Sequence, residues 1–432
     1  MAAFLKAAAH PILALIMALT GGGCGMDEAG ANYEQEAQAQ RIAILTVATN
    51  IHAIRWINAL AGRGLDLIVI TQQPPLPGDY HPSVRFALLP FRGRLAYLLN
   101  ALVLPRIFAR TGAPLLHVHY AGGYGATVWL SGIRNSLVSV WGGDVYDVPG
   151  RSALHRRAVC GALEKAALIT STSHVMKAQV ERLGVSTPVD VVPFGVDTER
   201  FRPGLRPKTQ DRLVIGTVKT LARKYGIDTL IRGFDLALRD PHFRALDPEL
   251  HLVGGGTAKQ EYEQLAASLG LADRIRFHGQ VRHEQVPAIL SGFDIYAAIS
   301  RDDSESFGVA IIEASACGLP VLVSDAGGLP EVVENDVTGI IIPRDDPAAV
   351  SRALLRLAAD PAMRQKMGAA GRQRVMRLYE WSGCVDAMIA IYAQITGSGV
   401  MTGRQNGFAR LVQRTTKARG PSCLSTRFAK GL

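Results

Sequence analysis

The sequence predicts an α/β protein made of two doubly wound parallel-sheet domains that face each other across a cleft. Three observations predict it. Short, almost wholly apolar runs recur along residues 41–343, as strands do when a parallel sheet is covered on both faces. Helical patterns fill most of the gaps between these runs, the mark of β-α-β units. The alternation then breaks at a turn-rich segment, Gly195 to Gly204, and starts again.

Seven strands are expected in the first half: 41–47, 65–71, 84–90, 115–120, 136–142, 167–173 and 189–194. Six follow in the second: 212–218, 249–255, 275–281, 293–299, 319–325 and 338–343. Each is a run of Val, Ile, Leu and Ala closed by Gly, Pro or a polar residue. After Pro347 the pattern is helical to about Ile395. The expected divisions are a leader or non-native extension (1–40), an N-terminal domain (41–204), a C-terminal domain (205–376), a last helix (377–398) and a basic disordered tail (399–432). Residues 1–25 carry one Lys, an apolar run from Ala7 to Leu19 and then GGGCG. This resembles a secretory or lipoprotein leader. Met26 opens a polar stretch, so the biological start is expected near it.

At 432 residues, 48% hydrophobic and 19% charged, the composition is that of a globular enzyme with two cores. Five scattered cysteines contain no C-x-x-C pair, which points to neither a zinc site nor a disulfide framework. The net charge of +10 is uneven. Residues 41–205 hold 17 Lys/Arg against 9 Asp/Glu, and residues 206–400 hold 22 against 24. A basic first half suits an anionic partner or surface. Aromatic residues are only 6% and no nucleic-acid-reading motif is present, so nucleic acid is not the expected partner.

One stretch organises the chain: DDSESFGVAIIEASACGLPVLVSDAGG, Asp302 to Gly328. Phe307 to Ala316 reads as a helix. Ser306, Phe307 and Gly308 bring free backbone N–H groups to its start, where an anion is favoured. Glu305 stands on the entering loop, and Glu313 about two turns inside. Most isolated glutamates are solvated, but Glu313 lies between Ile312 and Ala314 in an apolar helix, where a charge needs a partner or a ligand. Lys219 and Lys224, in GTVKTLARKYGID after a strand, have the spacing to converge on a diphosphate. Gly254, Gly255 and Gly256 end the next strand and permit close backbone approach. His278 to Val281 follows a third.

ESFGVAIIE resembles the E-x7-E signature of the family 4 retaining glycosyltransferases, and GLPVLVSDAGGLPEVVENDVTGIIIP continues the likeness. The resemblance implies the GT-B fold, with two Rossmann-like domains and a last helix that crosses back to the first. It also implies transfer of a sugar from a nucleotide diphosphate donor to an acceptor hydroxyl, in cell-envelope polysaccharide or lipid-linked glycan synthesis. Glu313 would hold the ribose and Glu305 the transferred sugar. The amides of Ser306, Phe307, Gly308 and Val309, with Lys219, Lys224, Gly254 and Gly255, would hold the diphosphate end. Glu305, Lys224 and His119 would form the catalytic set. His119 enters because LLHVHY matches the family's H-x-H strand end; without that, both His117 and His119 read as core histidines. The family pattern has Arg where Lys219 stands, and Tyr225 is an insertion. Diphosphate binding by cations and helix amides implies no cofactor and no essential metal.

Relatives carry a Gly-Gly loop after the first strand. Here Asn50, His52 and Arg55 occupy the place and are assigned to the acceptor side, with Gly143 and Asp144 of SVWGGD. His174 and Lys177 begin a helix near it. The absence of glycine between the first strand and Gly62 also argues against a dinucleotide fingerprint. Segment 91–112 sets Arg92, Arg94, Arg106 and Arg110 beside Leu95, Leu98, Leu99, Leu102 and Val103. Such a helix suits an anionic membrane surface, and equally a helix packed on its own sheet. The expected location is the cytoplasm, peripheral on the inner face of the cytoplasmic membrane. Two other classes share the fold: a GT-B epimerase or phosphorylase, and a catalytically silent nucleotide-sugar-binding protein.

Overall fold

A computed structural model describes residues 40–93, 95–205 and 212–397. The leader before Gln40, the tail from 399 and Arg94 lie outside the described residues. All thirteen expected strands form, each shorter than its apolar run. The first sheet contains β1 (Arg41–Leu45), β2 (Asp66–Thr71), β3 (Arg85–Leu88), β4 (Leu115–His119), β5 (Ser136–Ser139), β6 (Ala166–Ser171) and β7 (Val189–Val191). The second contains β8 (Val214–Val218), β9 (Glu249–Val253), β10 (Ile275–Gly279), β11 (Ile295–Ala298), β12 (Val321–Ser324) and β13 (Gly339–Ile342). The orders are β3-β2-β1-β4-β5-β6-β7 and β10-β9-β8-β11-β12-β13. Every pairing is parallel. Each order reverses direction once, beside β1 and beside β8, and the carboxyl ends of the strands there form the crevice in which such sheets bind ligands.

The helices used below are α1 (Ile51–Gly62), α2 (Ala96–Thr111), α3 (Gly123–Ser131), α4 (Ala153–Glu164), α5 (His174–Arg182), α6 (Ile227–Ala237), α7 (Val309–Ala316), α8 (Pro347–Ala359), α9 (Pro361–Leu378) and α10 (Trp381–Thr396). Leu104, Val128, Val159 and Val180 of α2, α3, α4 and α5 cover one face of the first sheet. Trp56 and Leu60 of α1, with Met388 and Tyr392 of α10, cover the other. That second cluster runs on without a break to Ile311 and Ile312 of α7. Phe234 of α6 and Leu354 of α8 close the far face of the second sheet.

Helix α10 thus returns to the first sheet. The Tyr392 hydroxyl meets His117 Nδ1 at 2.8 Å, Trp56 and Trp381 pack 4.8 Å apart, and Arg63 pairs with Asp386. His117 also meets Ser139 Oγ at 2.7 Å, so it is a satisfied core residue. The strand-like bridge between Val196 and Glu380 ties the outgoing chain to the returning one. Val196 N–H donates to Tyr379 O at 2.8 Å and Trp381 N–H to Val196 O at 3.0 Å.

Candidate active site

The loop before α7 is set by a glycine and two arginines. Gly308 has φ of 92°, a left-handed backbone that stops the helix from starting at Phe307. The helix therefore begins at Val309, and Glu313 lies about one turn inside it rather than two. The Gly308 carbonyl accepts from Ile311 and Ile312 N–H. The amides of Phe307, Gly308, Val309 and Ala310 have no backbone acceptor among the described residues, and all four residues line the cleft. Behind the loop, Arg301 bridges Asp228 and Asp345 at 3.0 and 2.8 Å. Arg344 bridges Asp303 and Asp325 at 2.9 and 3.1 Å. Gly328 N–H donates to Glu305 O at 3.0 Å, so the Glu305 backbone is held from its rear.

The cleft encloses about 520 Å³ between the two sheets, the size of a typical small-ligand cavity. From the second domain come Lys219, Lys224, Glu305, Ser306, Phe307, Gly308, Val309 and Glu313, all expected. Lys219 Nζ lies 2.7 Å from Glu305 Oε2 and 4.5 Å from the Tyr225 ring centroid. Lys224 Nζ lies 5.1 Å from the same ring. The inserted Tyr225 thus stands between the two cations, which its π-face attracts. Burial works against the Lys219 charge, but Glu305, Tyr225 and Glu313 together outweigh it and the pKa is raised.

Glu313 is 4% exposed. Its partner is His283, whose Nε2 donates to Oε1 at 2.8 Å. His283 lines the cleft, and its one signal in the sequence is a second histidine in the loop after His278. From the first domain, His52, Arg55 and Gly143 reach the cleft as expected. Trp141 and Phe194 join them, also unforeseen. His52 stacks on Phe194 at 4.6 Å, and burial lowers its pKa to about 4, so it is a neutral imidazole. The Arg55 guanidinium lies 3.9 Å over Trp381 and donates to Gly195 O at 3.2 Å; burial lowers its pKa.

Several expected residues lie elsewhere. Asn50 caps α1, its Oδ1 accepting from His52 and Ala53 N–H; the helix starts where a loop was expected, so His52 and Arg55 are helical. Asp144 is wholly buried, accepting from the amides of Ala121, Trp141 and Gly142 at 2.8–3.0 Å. It fastens the loop after β5 instead of facing an acceptor. His119 is 3% exposed, 3.2 Å from Thr46 Oγ1, with Trp141 packed 4.7 Å away. Trp141 lines the cleft and His119 does not; burial takes the His119 pKa down to about 3. Gly254 and Gly255 are also absent from the wall. A Cβ on Gly254, whose φ is 143°, would stand 2.0 Å from Lys219 O, so this glycine lets two loops touch. Lys177 is likewise occupied, whereas the buried Nε2 of His174 meets no hydrogen-bond partner among the described residues. The His174 amide donates to both Glu331 oxygens, and Lys177 Nζ donates to Val189 O. Asp303 is Arg344's partner.

Two facing doubly wound sheets, with cations, carboxylates and unused helix amides around one interdomain cleft, define a GT-B glycosyltransferase. Residues 41–173 match the family described as glycosyl transferase 4-like, and residues 197–374 the family described as glycosyl transferases group 1; with both matches the chain belongs to the GT4-type, GT-B glycosyltransferases. It is 28% identical over 390 residues to a D-inositol 3-phosphate glycosyltransferase of Xylanimonas cellulosilytica, covering 80% of this chain and 91% of that enzyme. It is 33% identical over 211 residues to a GDP-mannose-dependent alpha-(1-6)-phosphatidylinositol monomannoside mannosyltransferase of Mycolicibacterium smegmatis, covering 46% of this chain and 54% of that one. Sucrose-phosphate synthase of Thermosynechococcus elongatus superposes with a TM-score of 0.72 at 25% identity, over 83% of this chain and all of that one. Anabaena HepE, solved with UDP, superposes at 0.69 with 17% identity, over 82% of this chain and all of that one.

Proposed function

We propose that the protein transfers a sugar, with retention of configuration, from a nucleotide diphosphate donor to an acceptor hydroxyl in envelope polysaccharide or lipid-linked glycan synthesis. One observation carries the reading: around a single cleft, unused amides at the start of α7 and two lysines face an anion's place, flanked by two partnered carboxylates, part-buried Glu305 and buried Glu313. The diphosphate would lie on the amides of Phe307, Gly308 and Val309, between Lys219 and Lys224. Glu313, oriented by His283, would accept from the ribose hydroxyls, and Glu305 from the sugar.

Bond by bond, the acceptor oxygen attacks the anomeric carbon as the bond to the phosphate oxygen breaks. The departing phosphate oxygen takes the acceptor's proton on the same face. The protein then contributes position and charge: Lys219 and Lys224 stabilise the diphosphate as its charge grows. His52, Arg55, Trp141 and Gly143 would form the acceptor side. The names of the relatives, which act on inositol phosphate and on a phosphatidylinositol mannoside, support a polyol or lipid-linked acceptor. We assign the first domain to residues 41–204 and the donor domain to 205–376, and place the enzyme on the cytoplasmic side, where nucleotide sugars are made.

No essential metal is part of this reading; full activity in excess EDTA is its check. The donor site is tested by calorimetric titration of UDP, GDP and ADP and their sugars into wild type and Glu313→Ala. Saturable binding of one nucleotide, lost in the variant, is expected. No binding by any of them overturns the reading. Binding without transfer to any acceptor favours a silent binding protein, and release of an isomerised sugar without acceptor favours an epimerase.

A further inference from the structure

We infer that α2, α3 and α4 form one docking face for an anionic lipid bilayer, beside the mouth of the cleft. Thirteen large apolar side chains are exposed among the described residues, and ten of them belong to the first domain. Leu95, Leu98, Leu99 and Leu102 are 70%, 55%, 42% and 74% exposed. Their spacing puts them on one outward stripe, while Ala96, Asn100, Ala101 and Leu104 pack inward. The stripe ends in exposed Arg106 and Arg110. It is not confined to one helix. Leu130 on α3 and Leu154 on α4 are 46% and 70% exposed. The three helices lie side by side: Gly123 of α3 meets the Tyr97 ring of α2, and Trp129 of α3 lies over Gly161 of α4.

Charge selects the occupant. Residues 91–165 hold eight arginines and one lysine against three acidic residues, Asp144, Asp147 and Glu164; Asp144 is wholly buried, and only Glu164, the last residue of α4, lies on the three helices. Leucines set in an arginine field suit insertion among anionic headgroups, the apolar part entering the acyl boundary and the guanidinium groups pairing with phosphates. A second copy of the same face would bring arginines against arginines. Each of these helices starts at the carboxyl edge of the first sheet, which is the edge that carries the cleft. Leu95, Leu98 and Leu154 occupy or adjoin first turns, so a bilayer met by this face lies next to the cleft opening. An acceptor with a lipid tail would then reach the site without leaving the membrane. The inference stands on this surface alone and does not need the donor assignment.

The test is flotation of the full chain with vesicles of equal parts phosphatidylglycerol and phosphatidylcholine, and with phosphatidylcholine alone. Wild type is expected to float with the anionic vesicles only, and to be released by high salt. Leu98→Ser/Leu102→Ser should weaken partition by about a hundredfold, near tenfold per leucine. Arg106→Glu/Arg110→Glu should abolish it, with nucleotide titration unchanged in both. These four side chains are exposed, and circular dichroism checks that each variant folds. Absence of flotation overturns the inference, as does flotation equal in wild type and both variants, which would locate binding elsewhere in the chain. A soluble dimer that the leucine variant dissociates, with no lipid binding, would assign the face to a second copy.

Discussion

The pair between Lys219 and Glu305 makes the site's double use of one cation measurable. Replacing Lys219 with Met keeps the aliphatic stem and deletes the charge. Glu305, whose side chain is 12% exposed, is left without its 2.7 Å partner. Breaking such a pair from one side costs about 3–5 kcal/mol. Lys219→Met should therefore lose about 3 kcal/mol at pH 7. The double variant Lys219→Met/Glu305→Gln should recover most of the stability at pH 7, because no buried charge remains. Nucleoside diphosphate binding should not recover in the double variant. A missing charged hydrogen bond is worth about 1.5–3 kcal/mol, about ten- to a hundredfold in Kd. Urea unfolding by far-UV circular dichroism and calorimetric titration read the two quantities separately. Equal stability loss in single and double variants, or a Kd for the single variant within twofold of wild type, would refute the reasoning.

Other outcomes follow from the same geometry. His283→Ala should weaken nucleotide binding about tenfold by releasing Glu313, while His283→Gln, which keeps a donor, should stay within about threefold; equal binding in all three would mean that α7 alone orients the carboxylate. Gly254→Ala should cost about 2–4 kcal/mol, since its φ is wrong for alanine and its Cβ would meet Lys219 O at 2.0 Å. Gly255→Ala, whose Cβ would meet only ordinary contacts from 3.5 Å outward, should cost under about 1 kcal/mol. The first domain should be acid-sensitive. His52 and His119, with pKa values lowered by burial to about 4 and about 3, stay neutral in the fold while the unfolded chain takes up protons below about 6.5. Their contribution is therefore intact above 6.5 and is lost as pH falls toward those values, by about 3 kcal/mol for His52 and about 5 for His119. Urea midpoints followed by fluorescence of Trp56, Trp129 and Trp141 across pH 7 to 4 should fall, with a shallower slope in His119→Asn; parallel slopes would contradict the assignment.

The strands were legible because a sheet covered on both faces needs unbroken apolar runs. The α7 stretch was legible too, since a carboxylate embedded in Ile312, Ala314 and Ala316 has no bland explanation. What stayed hidden was pairing across distance. Glu313 finds His283 thirty residues away in sequence, through a loop whose side chains carry no pattern. Asn50 and Asp144 are polar residues at chain reversals, where a cap or an amide clasp and a ligand contact use the same side chain. His119 sits on the correct strand end, yet Trp141, from the loop after the neighbouring strand, decides whether it meets the cleft. Sheet order and packing depth settle such questions, and neither is written locally.

The chain's return through α10 has an evolutionary consequence. The first domain is completed by a segment encoded after the second, and its fit is private: His117 to Tyr392, Trp56 to Trp381, Arg63 to Asp386. A chimera joined once, between residues 192 and 213, would import a foreign last helix along with the foreign donor half. Exchange of donor specificity between relatives therefore needs two crossovers, the second near Tyr379, so that the acceptor half keeps its own lid on its core. Recombination that respects both seams moves the donor half as a cassette; recombination at one seam leaves Trp56 and His117 facing the wrong helix.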